Sequence, residues 1–193
     1  MKIFYTATYQ GKDQFGAYYR QIYDEIKKLG YTHLDDEVVR ITYDEYVNKM
    51  NQGRAIQVKN YQETIDFIKN ADICVLETSA HSLGLGFIVQ KSLEMGKPTI
   101  VLHYDEYPPY FLQGIEDEKL IIKSYDEKTL KKAVKDVLQE AREKRDKRFN
   151  FFLSPKLLDY LDKASKVEGV TKSKLLRDMI LRHMRENNET ASE

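Results

Sequence analysis

Cysteine is almost absent from this chain, with one in 193 residues. That excludes a disulfide framework, and because Cys74 lies inside the apolar run Ile73-Cys74-Val75-Leu76 it reads as a buried structural thiol, not a nucleophile. Tryptophan is missing, and no apolar run reaches the roughly 18 residues that a membrane-spanning helix needs. The start, MKIFYTATYQ, enters a strand pattern without a basic-then-apolar leader, so the expectation is a soluble, cytoplasmic protein with no membrane partner. The four histidines, His33, His81, His103 and His183, show no ligand spacing with one another or with cysteine, so neither a metal nor a cofactor is expected.

Net charge is also missing, with 31 Lys and Arg against 31 Asp and Glu, but the balance hides an asymmetry. From Lys144 onward there are 12 basic and 8 acidic residues, which leaves 19 basic and 23 acidic in the rest of the chain. Only the tail is suited to a polyanion.

What is present is an alternation of apolar strands and amphipathic helices. Lys2 to Thr8 reads as a strand, followed by Phe15, Tyr18, Tyr19, Ile22, Ile26 and Leu29 at helical spacing up to Gly30. A helix over about Tyr61 to Asn70 precedes the strand Ile73 to Leu76, and another helix ends near Gly96. Strands follow at Lys97 to Leu102 and Leu120 to Lys123, then a helix from Glu127 carrying Leu130, Val134 and Leu138. Strands that are apolar throughout and separated by helices predict an α/β fold, a flavodoxin/Rossmann-like parallel sheet with helices on both faces. The charge-rich stretch Gln139 to Lys147 marks a boundary, giving domains 1–143 and 144–193.

In such a sheet the ligand site lies at the carboxyl ends of the strands. Three loops qualify: Thr8 to Gln14, Glu77 to Gly86, and the aromatic, proline-bearing His103 to Tyr110. The second contains Ser79-Ala80-His81-Ser82-Leu83-Gly84-Leu85-Gly86, small residues at a helix start whose free N–H groups favour a phosphate or carboxylate. The alternative is that Gly84 and Gly86 serve a tight turn and close helix packing.

Ala71-Asp72-Ile73-Cys74-Val75-Leu76-Glu77, Ser82-Leu83-Gly84-Leu85-Gly86-Phe87 and Gly96-Lys97-Pro98, in that order, resemble the nucleoside 2-deoxyribosyltransferase superfamily. The likeness is to its 2'-deoxynucleoside 5'-monophosphate N-glycosidase branch and covers about residues 1 to 143. The resemblance implies that the Ser82–Gly86 loop cradles a nucleotide phosphate, and that a glutamate directly after the aromatic residue acts at the anomeric carbon. This chain has Ile88 there, which can neither attack that carbon nor stabilise positive charge. The family's phosphate-binding arginine appears as Gln10, and its helical aspartate as Thr64, beside Glu63. Thr8, Ser82, Gly84, Gly86 and Glu77 are retained or conservatively replaced, so binding is implied more strongly than chemistry. Glu77 is the first candidate for a displaced catalytic acid, with Asp35, Asp36 and Glu37 behind it. Tyr5, Ser79 and His81 are candidate polar contacts to the ligand. Each of these also reads as a surface charge or a loop-fixing hydrogen bond.

The tail runs Lys147-Arg148-Phe149-Asn150-Phe151-Phe152-Leu153-Ser154-Pro155, then two short helical patterns parted by Gly169. It resembles ribbon-helix-helix (Arc/MetJ-type) DNA-binding domains. Period 2 puts Phe149, Phe151 and Leu153 in a dimer core and leaves Arg148, Asn150 and Phe152 on the exposed face, where the first two suit base edges. Ser154 and Thr171 are expected to cap the two helices, with Lys172 and Ser173 beside a DNA phosphate. A lone strand needs a second copy to satisfy its edges, so a homodimer or homotetramer is expected.

The sequence therefore predicts a DNA-binding regulator with a nucleotide-sensing, catalytically impaired domain. Two alternatives stay open. One is an active N-glycosidase or 2-deoxyribosyltransferase whose tail serves oligomerisation or tethering. The other is a scaffold that binds a protein and leaves the cradle empty.

Overall fold

The computed structural model describes residues 1–144 and 152–190. The chain divides into two compact units, Met1–Asp146 and Lys147–Glu193.

The first unit opens with β1 (Lys2–Ala7), a single 3-10 turn (Tyr9–Gly11) and α1 (Lys12–Lys28). Gly30, at φ +86°, reverses the chain after α1 in a conformation that side chains with a Cβ rarely adopt. A two-residue edge strand β2 (Thr32–His33) leads to the short α2 (Glu37–Arg40) and α3 (Tyr43–Met50). Then come α4 (Arg54–Asn70), β3 (Ile73–Glu77), α5 (Leu83–Glu94), β4 (Thr99–Tyr104), β5 (Leu120–Tyr125) and α6 (Leu130–Glu143). The strands form one parallel sheet in the order β2-β1-β3-β4-β5.

The central strands alternate between two covered faces, which is why β3 and β4 are buried almost throughout. Ile3, Tyr5, Ile73 and Val75 face a core closed by α1 and α6, through Phe15, Tyr19, Ile22, Val134 and Leu138 among others. Phe4, Cys74 and Leu76 face the opposite core, closed by Ile68 of α4 and by Leu85 and Val89 of α5. Burying each such aliphatic side chain contributes about 1.5–3 kcal/mol. Burial also pushes the Cys74 thiol up to about 11, as befits an inert structural residue.

Four elements differ from the sequence reading. The edge strand β2 is too short to carry a period, and α2–α3 went unassigned because α3 has no buried residue. Instead α3 is held by a capping box, in which the Thr42 hydroxyl accepts from Glu45 N–H at 3.2 Å and the Glu45 carboxylate accepts from Thr42 N–H at 2.7 Å. Helix α4 begins at Arg54, not Tyr61, because its first two turns lie on the surface and show no apolar stripe.

The described part of the second unit is a helical pair, α7 (Pro155–Val167) and α8 (Lys172–Thr190). Pro155 is the first residue of α7, but Ser154 makes no side-chain cap bond. The Thr171 hydroxyl does cap α8, accepting from Lys174 N–H at 3.2 Å. Most of the strand expected over Arg148 to Leu153 lies outside the described residues. Among the described residues no helix is long and apolar enough to cross a membrane.

Candidate functional site

At the carboxyl end of the sheet the loops after β1 and β3 are pressed together. A Cβ on Gly11 would collide with the Tyr19 hydroxyl and the Ala80 methyl, so the first loop can seat against the second only with glycine there. The chain leaves β1 toward β2 on one side and re-enters the sheet as β3 on the other, and a parallel sheet opens its ligand crevice at such a switch point.

A cavity of about 840 Å³ lies there, lined by residues from β1, the segment after β2, α3, α4 and the start of α5. Ser82 is in extended conformation, and its hydroxyl accepts from Leu85 N–H at 3.3 Å, capping α5. The uncompensated N–H groups of that first turn carry the positive end of the helix dipole. Gly84 lines the cavity, and a Cβ there would make only ordinary contact with Ser82 Oγ at 3.5 Å. Neither Gly84 nor Gly86 has positive φ, and a Cβ on Gly86 would meet nothing within 4 Å. Packing and backbone conformation therefore do not demand these glycines. The missing side chain of Gly84 keeps space open in front of the amides.

The opposite wall is aromatic and charged. Tyr9 stacks on Tyr46 with ring centroids 4.0 Å apart and 7° between planes. The Tyr9 hydroxyl donates to Glu37 Oε2 at 3.1 Å, and Lys49 Nζ reaches Glu37 Oε1 at 2.5 Å. Burial, then the Glu37 charge, pushes the Tyr9 hydroxyl well above its ordinary pKa and keeps it a donor. Sequence reasoning missed Tyr9, Tyr46 and Lys49 as site residues, because two of them belong to the unassigned α3. The Thr-x-x-Glu pattern at Thr42–Glu45, with Tyr43, Tyr46, Val47 and Met50 at helical spacing, was the signal that could have revealed that helix.

The structure brings together Thr8, Gln10, His81, Ser82 and Gly84 around the cavity, with Asp35, Glu37, Glu63, Thr64 and Ile88. Thr64 turns its hydroxyl back onto its own helix, donating to Asn60 O at 2.9 Å. Tyr5, Glu77, Ser79, Gly86 and Asp36 do not line the cavity. For Tyr5 and Glu77 the reason is strand parity. Tyr5 and Glu77 belong with Ile3 and Ile73 on the α1/α6 face of the sheet, whereas Phe4 and Thr6 of the other face line the cavity; Ala7, the last residue of β1 and the register partner of Glu77, also lines it. The Tyr5 hydroxyl is spent on Tyr19 O at 3.2 Å.

Glu77 is fully buried. Its Oε1 accepts from the Ser79 hydroxyl, from Ser79 N–H at 3.2 Å and from the Tyr125 hydroxyl at 2.9 Å. Ser79 Oγ in turn accepts from Tyr104 N–H at 2.7 Å. Glu77 Oε2 and the Tyr19 hydroxyl lie close enough to interact but outside hydrogen-bond geometry. Burial raises the Glu77 carboxyl to about 7, against the opposing pull of its Ser79 and Tyr125 donors. This carboxyl ties β3 to β5 directly and to β4 through Ser79, and it lies outside the cavity lining.

The loop after β4 belongs to the α1 side: Tyr107 packs edge-on against Phe15 at 5.2 Å, and its hydroxyl accepts from Gln14 Nε2 at 2.9 Å. His33 stacks on Tyr23 at 3.7 Å, and the His103 ring bonds Tyr104 O at 2.9 Å. No three His, Cys, Asp or Glu side chains gather as a metal site among the described residues.

In the second unit, the expected base-reading residues Arg148 and Asn150 lie outside the described residues. Phe152 is fully exposed. Thr171 is engaged as the α8 cap, Lys172 pairs with Asp162 Oδ1 at 2.6 Å, and Ser173 is exposed.

No protein-family model matches the chain, and no curated protein matches it by sequence. Among 41 solved chains that do match, the CMP N-glycosidase BcmB of Clostridium botulinum is similar at 15% identity and a TM-score of 0.46, over 72% of this chain and 99% of that one.

Proposed function

We propose that the first unit binds a small phosphorylated ligand of the mononucleotide class without cleaving it, and that the chain is a nucleotide-responsive, DNA-contacting regulator that works as a homo-oligomer. The observation that carries the binding half is the meeting of two features in one cavity. The open N-terminal turn of α5 at Ser82–Gly84 suits a phosphate, and the Tyr9–Tyr46 wall suits a planar ring. Ile88 on the cavity wall supports binding over glycosidic chemistry, since an oxocarbenium-like centre needs a carboxylate against it.

The DNA half rests on the basic excess of the tail and on its likeness to ribbon-helix-helix domains. Ligand acts on DNA binding only if it has different affinity for two arrangements of the oligomer. Titration calorimetry with a mononucleotide panel tests the first half. Selection of genomic fragments by the full-length protein, with and without nucleotide, tests the second. Operator affinity that stays constant at saturating nucleotide would sink the sensor role.

One observation favours the rival reading of an active N-glycosidase, namely that Glu63 of α4 lines the same cavity, half exposed and 3.7 Å from Lys59. Chromatographic detection of free base released from a deoxynucleotide decides for that reading.

A further inference from the structure

The carboxylates around the cavity differ in what they hold. Glu37 has both oxygens engaged, by Lys49 and by Tyr9. Glu63 is half exposed beside Lys59. Asp35 stands apart: it is partly buried on the cavity wall, its carboxylate faces the backbone N–H groups of Asp36 and Glu37, the latter at 3.2 Å from Oδ1, and it makes no ion pair among the described residues. Burial holds its pKa above the ordinary aspartate value. A partly desolvated carboxylate with no cation beside it gains from any N–H donor that enters.

Its position says what sort of donor that is. Asp35 follows β2 and the Ser82 cradle follows β3, with β1 between them in the sheet. The two strands themselves lie two spacings, roughly 10 Å, apart. Tyr9 follows the intervening strand β1 and lines the same cavity. A ligand with its phosphate at the α5 terminus and its ring along Tyr9 therefore presents its far edge to Asp35.

We propose that Asp35 is a specificity-determining residue, whose carboxylate accepts an N–H from the base edge of the nucleotide, so that the cavity selects amino-bearing bases. This rests on the nucleotide reading above. Adenine, cytosine and guanine each offer an exocyclic amino group. Uracil and thymine offer only an N3–H flanked by two carbonyl oxygens, which repel a carboxylate.

The test is calorimetric binding of dAMP, dCMP, dGMP, dUMP, TMP and inorganic phosphate to the full-length protein and to Asp35→Asn. Expected is at least one amino-bearing nucleotide bound about tenfold or more tightly than dUMP and TMP, with that gap nearly abolished in Asp35→Asn while phosphate affinity and melting temperature hold. Should that variant not fold, Asp35→Ser keeps an acceptor for Glu37 N–H and carries the same readout. Nucleotides that bind without discrimination, or a gap that survives the substitution, overturn the assignment and leave the nucleotide reading standing. A protein that binds no nucleotide overturns both.

Discussion

Glu77 and Tyr125 are joined across the sheet by a 2.9 Å hydrogen bond, on the face covered by α1 and α6 and away from the cavity. The bond helps to hold a carboxyl group in a setting that disfavours its charge. In the folded chain Glu77 has a pKa of about 7, against an ordinary value of 4.5. The folded state therefore binds more protons than the unfolded one between those values, and stability falls as pH rises through that window and levels off above it. The effect is on the order of 3 kcal/mol. Glu77→Gln retains an acceptor for Ser79 and Tyr125 and removes the charge, so it should melt higher than the parent at pH 8 and lose most of the fall in stability between pH 4.5 and 7. Denaturant titrations of both proteins across that range check it. A parent profile that rises with pH there would show that Glu77 is ionised at no cost.

Gly84 and Gly86 separate binding from stability. Both lie in α5 without positive φ and with room for a Cβ, so replacement by alanine should stabilise the protein by about 0.5–1 kcal/mol. Only Gly84 lines the cavity. Gly84→Ala should therefore bind nucleotide and phosphate about tenfold more weakly while melting slightly higher, and Gly86→Ala should melt higher with affinity unchanged. Thermal melts and calorimetry on the pair give the comparison. Equal affinities in both variants would remove the α5 terminus from the site.

Much of this was legible in the residues, and the parts that were not have physical causes. The strands at Ile73 and Thr99 announced themselves because both faces are covered, and Ile88 could be placed by its distance from the Ser82 loop. The rule that ligands sit at strand ends identifies the end but not the face. Glu77 and Tyr5 were assigned to the ligand on the first ground, and parity puts them on the other side. Parity decides only once it is known which helices cover which face, and that is tertiary information. Tyr46 and Lys49 escaped for a different reason: α3 is only 8 residues long and buries none of them, so the helical spacing of Tyr43, Tyr46, Val47 and Met50 is too brief to stand out.

Tyr46 provides a test of that unforeseen wall. Its ring covers Tyr9 at 4.0 Å, a parallel pair contributing about 0.5–1.5 kcal/mol. Tyr46→Ala should lower stability by about that amount and weaken nucleotide binding several-fold, with inorganic phosphate bound as before, because the phosphate end of the cavity is built on α5. Calorimetry with dAMP and with phosphate separates the two effects. A parallel loss of both ligands would mean that α3 supports the whole cavity and not one wall of it.

The second unit leaves an apolar face uncovered: Leu157 and Leu158 on α7, and Met179, Ile180 and Met184 on α8, are each 44% or more exposed. The α8 residues recur at helical spacing, as on a stripe that packs against something. Two helices bury too little by themselves to stand as an independent core, and a second copy of the same pair would cover this stripe with an identical one. Ile180→Glu places a charge in the middle of that stripe, where burial without a counter-charge is costly. The variant should shift the protein from oligomer toward monomer in sedimentation velocity at micromolar concentration, with the nucleotide affinity of the first unit unchanged. If the substitution left the sedimentation coefficient of an oligomer untouched, the copies would have to meet elsewhere on the chain. If the parent itself sedimented as a monomer, the stripe would belong to some other partner.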